Sequence, residues 1–191
     1  ISLTFSPDSQ HLAYVAEEGN EGFSNKGFVV LDGKEGERYD EVSYPTFSPN
    51  GKHFAYIAGE GNKKFVVLDG KKSKKYDGVY SLTFSPDSQH LAYIAKEGNK
   101  NFIVLDGKEG KKYDRVGILI FFSPDNQHIA YAAKEGNKKF IVLDGKEGKK
   151  YDNIYPLTFS PNSQHLAYIA KEGNKSFVVL DGKEGKKYDG V

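Results

Sequence analysis

The sequence contains no cysteine, no methionine and no tryptophan, and it has no long apolar run. Without cysteine the chain has no disulfides, no thiol nucleophile and no cysteine-ligated metal, and it is compatible with any redox compartment. Without methionine the sequence does not include a natural first residue, so the lack of a signal peptide is not evidence about location. No apolar run approaches the roughly 18 residues of a membrane-spanning helix, and we expect no membrane insertion.

An excess of either charge is also missing, because 27 basic residues nearly cancel 26 acidic ones. Both kinds alternate within the same loops, so no basic stripe is available to follow a phosphate backbone. Nucleic-acid binding is therefore not expected. The apolar fraction of 38% and the charged fraction of 28% are typical of an ordinary globular protein.

What the sequence does contain is repetition. The phrase F-S-P recurs every 37 to 42 residues, beginning at Phe5, Phe47, Phe84, Phe122 and Phe159. A fixed period of roughly 40 residues predicts one supersecondary unit copied five times. We expect one domain spanning 1–191, with units at 1–42, 43–79, 80–116, 117–154 and 155–191.

Within the third unit, four short apolar runs are separated by turn residues. The runs are YSLTF (80–84), QHLAYIA (89–95), NFIVL (101–105) and KYDRV (112–116). Runs of this length, rich in aromatic and β-branched residues and bounded by Gly, Pro, Asp and Asn, predict four antiparallel strands. No segment has helical spacing, so the predicted class is all-β.

Each predicted sheet is apolar on both faces, since Leu91 and Tyr93 point one way and Ala92 and Ile94 the other. A sheet of about 38 residues cannot shield both faces by itself, and radial stacking of copies solves the problem. The sequence therefore predicts a five-bladed β-propeller, with the alternative that the five units are part of a larger ring. The chain starts on a first strand and stops on a fourth, so we expect the ring to close by side-chain packing, without strand exchange, as a monomer.

The pattern F-S-P-D-x-x-x-hydrophobic-A-Y, followed by a V-V-L-D-G hairpin, resembles the WD-like propeller repeat of the TolB type. The resemblance covers all five units. It implies propeller architecture and an extracytoplasmic, periplasmic setting in bacteria, in a family that ranges from periplasmic interaction proteins to the propeller caps of peptidases. One departure is that the family's glycine after the aspartate is replaced in four units, the five residues being Ser9, Gly51, Ser88, Asn126 and Ser163.

Histidine and aspartate recur at fixed positions. The histidines are His11, His53, His90, His128 and His165; one aspartate set (Asp32, Asp69, Asp106, Asp144, Asp181) precedes a glycine and another (Asp40, Asp77, Asp114, Asp152, Asp189) follows a tyrosine. Neighbouring histidines should lie on the order of 10 Å apart, too far for one zinc ion, so we expect no metal and no cofactor. Copies in matching environments should titrate alike, which argues against the unlike carboxylates of a glycosidase. We interpret all three sets as structural, with the Tyr-Asp set bonding exposed backbone N–H groups, and expect no enzyme activity.

Specific function should lie where the repeat symmetry fails. Tyrosines are expected near the channel mouth in the second, third and fifth units but not in the fourth, which has one extra residue and a phenylalanine in place of threonine. The first unit has an extra loop with its own phenylalanine. The candidate binding residues are Phe23, Tyr44, Tyr80, Arg115, Phe121 and Tyr155.

The favoured hypothesis is a non-catalytic scaffold or protein-interaction module that binds an unidentified protein through loops at the channel mouth. Because tryptophan is absent and arginine is scarce, binding should be modest. Two alternatives stay open. One is a multivalent binder of carbohydrates or small ligands; the other is an engineered or recently amplified repeat protein with no selected partner.

Overall fold

The computed structural model describes residues 2–19 and 25–189, and all regular structure within them is β. Twenty strands form five antiparallel four-stranded sheets, and each sheet consists of four consecutive strands. This confirms the all-β class and the four strands per unit. Since the described part contains no helix, it holds no helical segment able to cross a membrane.

The strands follow chain order. The first sheet has β1 (Leu3–Phe5), β2 (Leu12–Glu18), β3 (Lys26–Leu31) and β4 (Lys34–Glu35); the second has β5 (Glu41–Phe47), β6 (Phe54–Glu60), β7 (Lys63–Leu68) and β8 (Lys71–Lys72). The third has β9 (Gly78–Phe84), β10 (Leu91–Glu97), β11 (Lys100–Leu105) and β12 (Lys108–Glu109). The fourth has β13 (Arg115–Phe122), β14 (Ile129–Glu135), β15 (Lys138–Leu143) and β16 (Lys146–Glu147); the fifth has β17 (Asn153–Phe159), β18 (Leu166–Glu172), β19 (Lys175–Leu180) and β20 (Lys183–Glu184).

The turn between the first two strands of a sheet is built by its own polar side chains. In the third sheet the Ser85 hydroxyl donates to Asp87 at 2.5 Å and accepts the His90 N–H at 3.0 Å. Ser88, which stands where the family has glycine, adopts a φ of 66°. The turn therefore keeps the left-handed backbone that glycine normally supplies, and its hydrogen bonds hold a non-glycine residue in that region.

The predicted fourth strand KYDRV (112–116) is wrong. The Asp106-Gly107 turn is so tight that pairing resumes immediately, and the fourth strand is only Lys108–Glu109. Tyr113 makes an isolated bridge to Asn101, and Arg115 already begins β13. The first strands of the second to fifth sheets accordingly begin at 41, 78, 115 and 153, two residues before the predicted unit starts.

The chain divides into two compact units, one of residues 1–98 and 104–109 and the other of 99–103 and 110–191. Within the first unit, apolar faces of the first and second sheets pack together, with Val29 and Tyr39 against Tyr56 and Ala58. A matching cluster joins the fourth and fifth sheets in the second unit. Closure of five sheets into one ring, and the single domain, stay predictions.

Candidate functional site

The first strand of each sheet from the second to the fifth contains a β-bulge. In the second sheet the register with β6 shifts between Ser43 and Thr46, so Tyr44 and Pro45 lie outside the regular ladder. Equivalent shifts occur in the other three sheets. A bulge bends its strand and redirects side chains away from the regular faces of the sheet. The bulges therefore place side chains in solvent from strands that are otherwise well packed.

In the first unit two of the predicted tyrosines are exposed: Tyr44 lies in a bulge, whereas Tyr80 pairs with Ile94 directly before one. Tyr44 has a φ of 55°, a strained conformation for a bulky side chain. Tyr80 folds over Gly78, where an added Cβ would lie 2.6 Å from the Tyr80 hydroxyl. Gly78 is thus needed for the observed position of the Tyr80 ring.

A cavity of 840 Å³ opens beside Tyr44 in the same unit. It lies where β2 meets the first strand of the second sheet. Its lining consists of Ser2, Tyr14, Val15, Ala16, Glu17, Val42, Ser43 and Tyr44. Tyr44 is therefore an exposed aromatic residue at the edge of a concave surface, as is usual for a contact residue.

In the second unit two of the predicted binding residues are exposed and one is half-buried. Tyr155 is exposed in β17, and Arg115 is exposed at the start of β13. Phe121, predicted as a binding residue, is half-buried and packs against the core cluster between the fourth and fifth sheets. The exposed apolar residues of β13 are Ile118, at 76% relative exposure, and Leu119.

Sequence reasoning missed Ile118 and Leu119. The signal was the extra residue in the apolar run G-I-L-I-F-F, which forces one more residue out of register than in the other first strands. The last prediction, Phe23, lies outside the described residues.

Each repeated histidine is paired with an aspartate on the turn after the third strand of its sheet. The Nδ1 atom of His11 lies 2.6 Å from Asp32, and the other four pairs lie at 2.7 Å. The second carboxylate oxygen accepts the backbone N–H of the residue after the histidine, as in Leu12 to Asp32 at 2.9 Å. Hydrogen bonding to Asp32 raises the pKa of His11, and the Leu12 N–H followed by His11 lowers the pKa of Asp32.

These pairs close the turn, which agrees with the structural interpretation of both sets. In the described residues no three histidine or carboxylate side chains come together as ligands of one cation.

In the first four sheets, the aspartate after the loop tyrosine connects its loop to the next sheet. Asp40 accepts the N–H of Gly61, in the hairpin of the second sheet, at 2.6 Å, and Lys26 donates to it at 2.5 Å. The same pair of bonds recurs at Asp77, Asp114 and Asp152. The prediction that this set bonds backbone N–H groups is confirmed for these four, whereas Asp189 contacts Lys175. The lysine contact, followed by the glycine N–H, lowers the pKa of all four carboxyls.

No protein-family model and no curated protein matches the sequence. Among solved structures, the chain is similar to the β-propeller domain of the Trilobed protease from Pyrococcus furiosus, at 14% identity and a TM-score of 0.58. It is also similar to a putative dipeptidyl aminopeptidase IV from Bacteroides ovatus, at 12% identity and a TM-score of 0.56. TolB from Acinetobacter baumannii aligns at 19% identity with a TM-score of 0.49, which is too low to support an argument.

The aligned region covers most of this chain but only part of the other proteins. It covers 92% of this chain and 66% of the Trilobed protease domain, 97% and 39% for the peptidase from Bacteroides ovatus, and 96% and 52% for TolB. Identities this low show a shared fold and nothing about activity or partners. The chain thus has a fold of the β-propeller type.

Proposed function

We propose that the chain is a non-catalytic propeller module that binds a protein partner through the exposed side chains of its bulged first strands. The observation that carries the proposal is the repeated exposure of large apolar or aromatic residues at the bulges. Tyr44 occupies this position in the first unit, where the exposed Tyr80 lies directly before the bulge of its strand, and Ile118, Leu119 and Tyr155 occupy it in the second. Tyrosine is enriched at binding hot spots because it combines a large apolar ring with a polar end.

A non-catalytic role is supported by the repeated aspartates, whose carboxylates have the same contacts in each of the first four sheets. The aspartates Asp40, Asp77, Asp114 and Asp152 all contact one lysine and one backbone N–H, and the pKa of each is shifted downwards. General acid–base chemistry uses groups whose environments move their pKa values apart. The extracytoplasmic bacterial setting and the closed ring stay predictions; small-angle scattering in solution tests the latter.

The binding proposal is tested with a displayed peptide library, since no partner is identified. Peptides selected on the chain are measured against the Tyr44→Ser/Tyr80→Ser variant. We expect affinity to fall by roughly 10-fold or more, the usual effect of removing a hot-spot aromatic residue. The matched control is Tyr188→Ser, which removes an exposed tyrosine from a different face.

Two results would contradict the proposal. One is a library that yields no specific peptide at all. The other is a set of peptides that bind the double variant as well as the unsubstituted chain.

A second candidate, a carbohydrate or small-ligand binder, is favoured by one cavity of 420 Å³ in the first unit. It lies between the first two sheets and combines the rings of Phe47 and Phe54 with His11 and His53. Apolar walls with a few convergent polar groups are typical of ligand sites. A glycan array separates the two candidates. Glycan binding that is lost in Phe54→Ala but retained in Tyr44→Ser/Tyr80→Ser would favour the carbohydrate or small-ligand binder.

A further inference from the structure

Neighbouring sheets contact each other in one repeated way. In the first unit, third-strand Val29 and loop Tyr39 of the first sheet are 4% and 2% exposed and pack against Tyr56 and Ala58 of the second. The corresponding residues of the fourth and fifth sheets form the same cluster in the second unit. Each sheet thus has a leading face, formed by its third strand and loop tyrosine, and a trailing face, formed by its first two strands. The leading face of one sheet covers the trailing face of the next.

The leading face of the fifth sheet is uncovered. Val178 and Tyr188, which correspond to Val29 and Tyr39, are 43% and 49% exposed. Leu180, beside them on β19, is also exposed. Three large apolar side chains on one face carry a hydration cost that their counterparts avoid.

On the trailing face of the first sheet the first strand is uncovered as well, whereas Phe28 and Val30 of the third strand are buried. Leu3 and Phe5 are 60% and 62% exposed. Their counterparts in the fifth sheet are Leu157, which is buried, and Phe159, which packs against the same core cluster. The chain therefore presents both halves of its own sheet-to-sheet contact.

An ion pair accompanies each internal contact. A lysine of one sheet contacts a glutamate of the next sheet at 2.5–2.7 Å, in the pairs Lys74–Glu109, Lys111–Glu147 and Lys149–Glu184. The lysine stands two positions before the loop tyrosine of its own sheet, and the glutamate stands four positions before the loop tyrosine of the next. Between the first two sheets the charges are exchanged, with Glu37 contacting Lys72 at 2.7 Å. On the uncovered faces the same two positions hold Lys186 and Glu35, which are exposed and opposite in charge. Within one copy, Lys186 lies over the Tyr188 ring and Arg38 contacts Glu35 at 3.0 Å.

A hydrogen bond between turns also accompanies two of these contacts. The Asn50 N–H donates to the Ser88 hydroxyl at 3.0 Å, and the Asp125 N–H donates to Ser163 at 2.9 Å. The corresponding groups of the uncovered faces are the exposed Asn162, on the fifth sheet, and Ser9, on the first. Apolar surface, charge and hydrogen-bonding groups of the two faces thus match.

We propose that copies of this chain associate head to tail, the leading face of the fifth sheet in one copy covering the trailing face of the first sheet in the next. Lys186 then pairs with Glu35 of the second copy, and Tyr188, Val178 and Leu180 are buried against Leu3 and Phe5. A second copy is the occupant because it carries the complementary face and the complementary charge. Such a contact is heterologous, so it yields a closed assembly or an open chain of copies. The proposal is independent of the partner-binding surface on the first strands.

The test uses two variants, each of which reverses one charge of the proposed ion pair. Lys186→Glu alone places two carboxylates together at the contact, and Glu35→Lys alone places two ammonium groups together. We expect each variant to associate with itself about 10-fold more weakly than the unsubstituted chain, measured by analytical ultracentrifugation over a range of concentrations. In an equimolar mixture, each contact between the Lys186→Glu variant and the Glu35→Lys variant pairs a carboxylate with an ammonium group. Association should therefore recover towards the level of the unsubstituted chain. The exposed Lys146 supplies the control, because Lys146→Glu changes the net charge as much as Lys186→Glu does and should leave association unchanged.

A second variant tests the apolar part. Leu180→Asp should abolish association while leaving the circular dichroism spectrum unchanged, since Leu180 is already exposed in one copy. The proposal is overturned if the unsubstituted chain is a monomer at all concentrations, as closure within one chain would make it. It is also overturned if mixing the two charge variants restores nothing.

Discussion

At the scale of single residues, the aspartate after the third strand of each sheet closes a turn that lies before the second strand. Asp106 accepts the Leu91 N–H at 2.9 Å and contacts His90 at 2.7 Å. It does so with a φ of 50°, which aspartate tolerates better than most residues. One side chain therefore satisfies a backbone donor, orients a histidine and supports a tight hairpin.

Substitutions of Asp106 should lower the free energy of unfolding by amounts that depend on which of these roles they remove. We expect Asp106→Ala to lower the free energy of unfolding by about 2 kcal/mol, from the lost hydrogen bond and the left-handed backbone. Asp106→Asn keeps an acceptor and the backbone tolerance, and should cost less than about 1 kcal/mol. Urea unfolding of the three proteins measures both values, and equal losses for the two substitutions would refute this account.

The aspartates after the loop tyrosines make stability depend on pH. Their pKa values are lowered in the folded state, from a starting value of 3.8, mainly by lysine contacts. Protons therefore bind the unfolded chain more tightly, so the contribution is present above about pH 4 and is lost as pH falls through the folded pKa values. We expect the contribution of these aspartates to the free energy of unfolding to change little from about pH 7 to about pH 5 and to decline below about pH 4. The Asp77→Asn/Asp152→Asn variant should show a shallower decline, and an unchanged slope would contradict the assignment.

At the scale of elements, the first strands show what the repeat pattern could and could not predict. Four strands per unit followed from the alternation of apolar runs and turn residues. The bulges did not, because a bulge depends on how a strand pairs with its neighbour. Pro45, which has no N–H for the ladder, was a visible cue in the second sheet, whereas the third sheet has no such residue. The two-residue fourth strand was missed because its pairing comes from the turn geometry of Asp-Gly, not from an apolar run.

The bulge in the second sheet also stores strain. Tyr44 has a φ of 55°, and Tyr80 has no positive φ. Both side chains are exposed, so Tyr44→Gly and Tyr80→Gly lose similar contacts and similar unfolded-state entropy. We expect Tyr44→Gly to be more stable than Tyr80→Gly by about 1 kcal/mol, because only the first substitution relieves strain. Thermal unfolding of the pair tests this, and the opposite order would show that Tyr44 is not strained in solution.

At the scale of the whole chain, near-identical repeats differ in how well their neighbours cover them. Tyr151 is fully buried in its loop, whereas Tyr188 at the same repeat position is 49% exposed. The stability of such arrays is approximately a sum of repeat and interface terms. A residue's contribution therefore depends on its place in the array as well as on its type.

This dependence can be measured with one substitution at two sites. Tyr151→Ala should cost about 3–5 kcal/mol, the usual loss for a buried aromatic residue. Tyr188→Ala should cost less than about 1 kcal/mol at a protein dilution that prevents association between copies. Chemical denaturation of both variants provides the comparison, and similar losses would mean that the two tyrosines are equally covered in solution.

The candidate site was predictable only in part for a related reason. Tyr44, Tyr80 and Tyr155 could be located because the second, third and fifth units each hold a tyrosine near this position. Phe121 breaks the repeat pattern by replacing a threonine, but the extra residue of β13 turns it towards the core and leaves Ile118 and Leu119 outside. A deviation in sequence marks where a strand differs; only its pairing decides which side chain faces water.

The exchanged pair Glu37–Lys72 also has a consequence for how the gene can change its length. Unequal recombination that removed the second repeat would bring Glu37 against Glu109, and duplication of that repeat would set Lys74 against Lys72. Loss or gain of the third or fourth repeat would leave lysine facing glutamate at every later junction. We therefore expect a change in copy number to keep opposite charges together when it affects the third or fourth repeat, and to set like charges together when it affects the second.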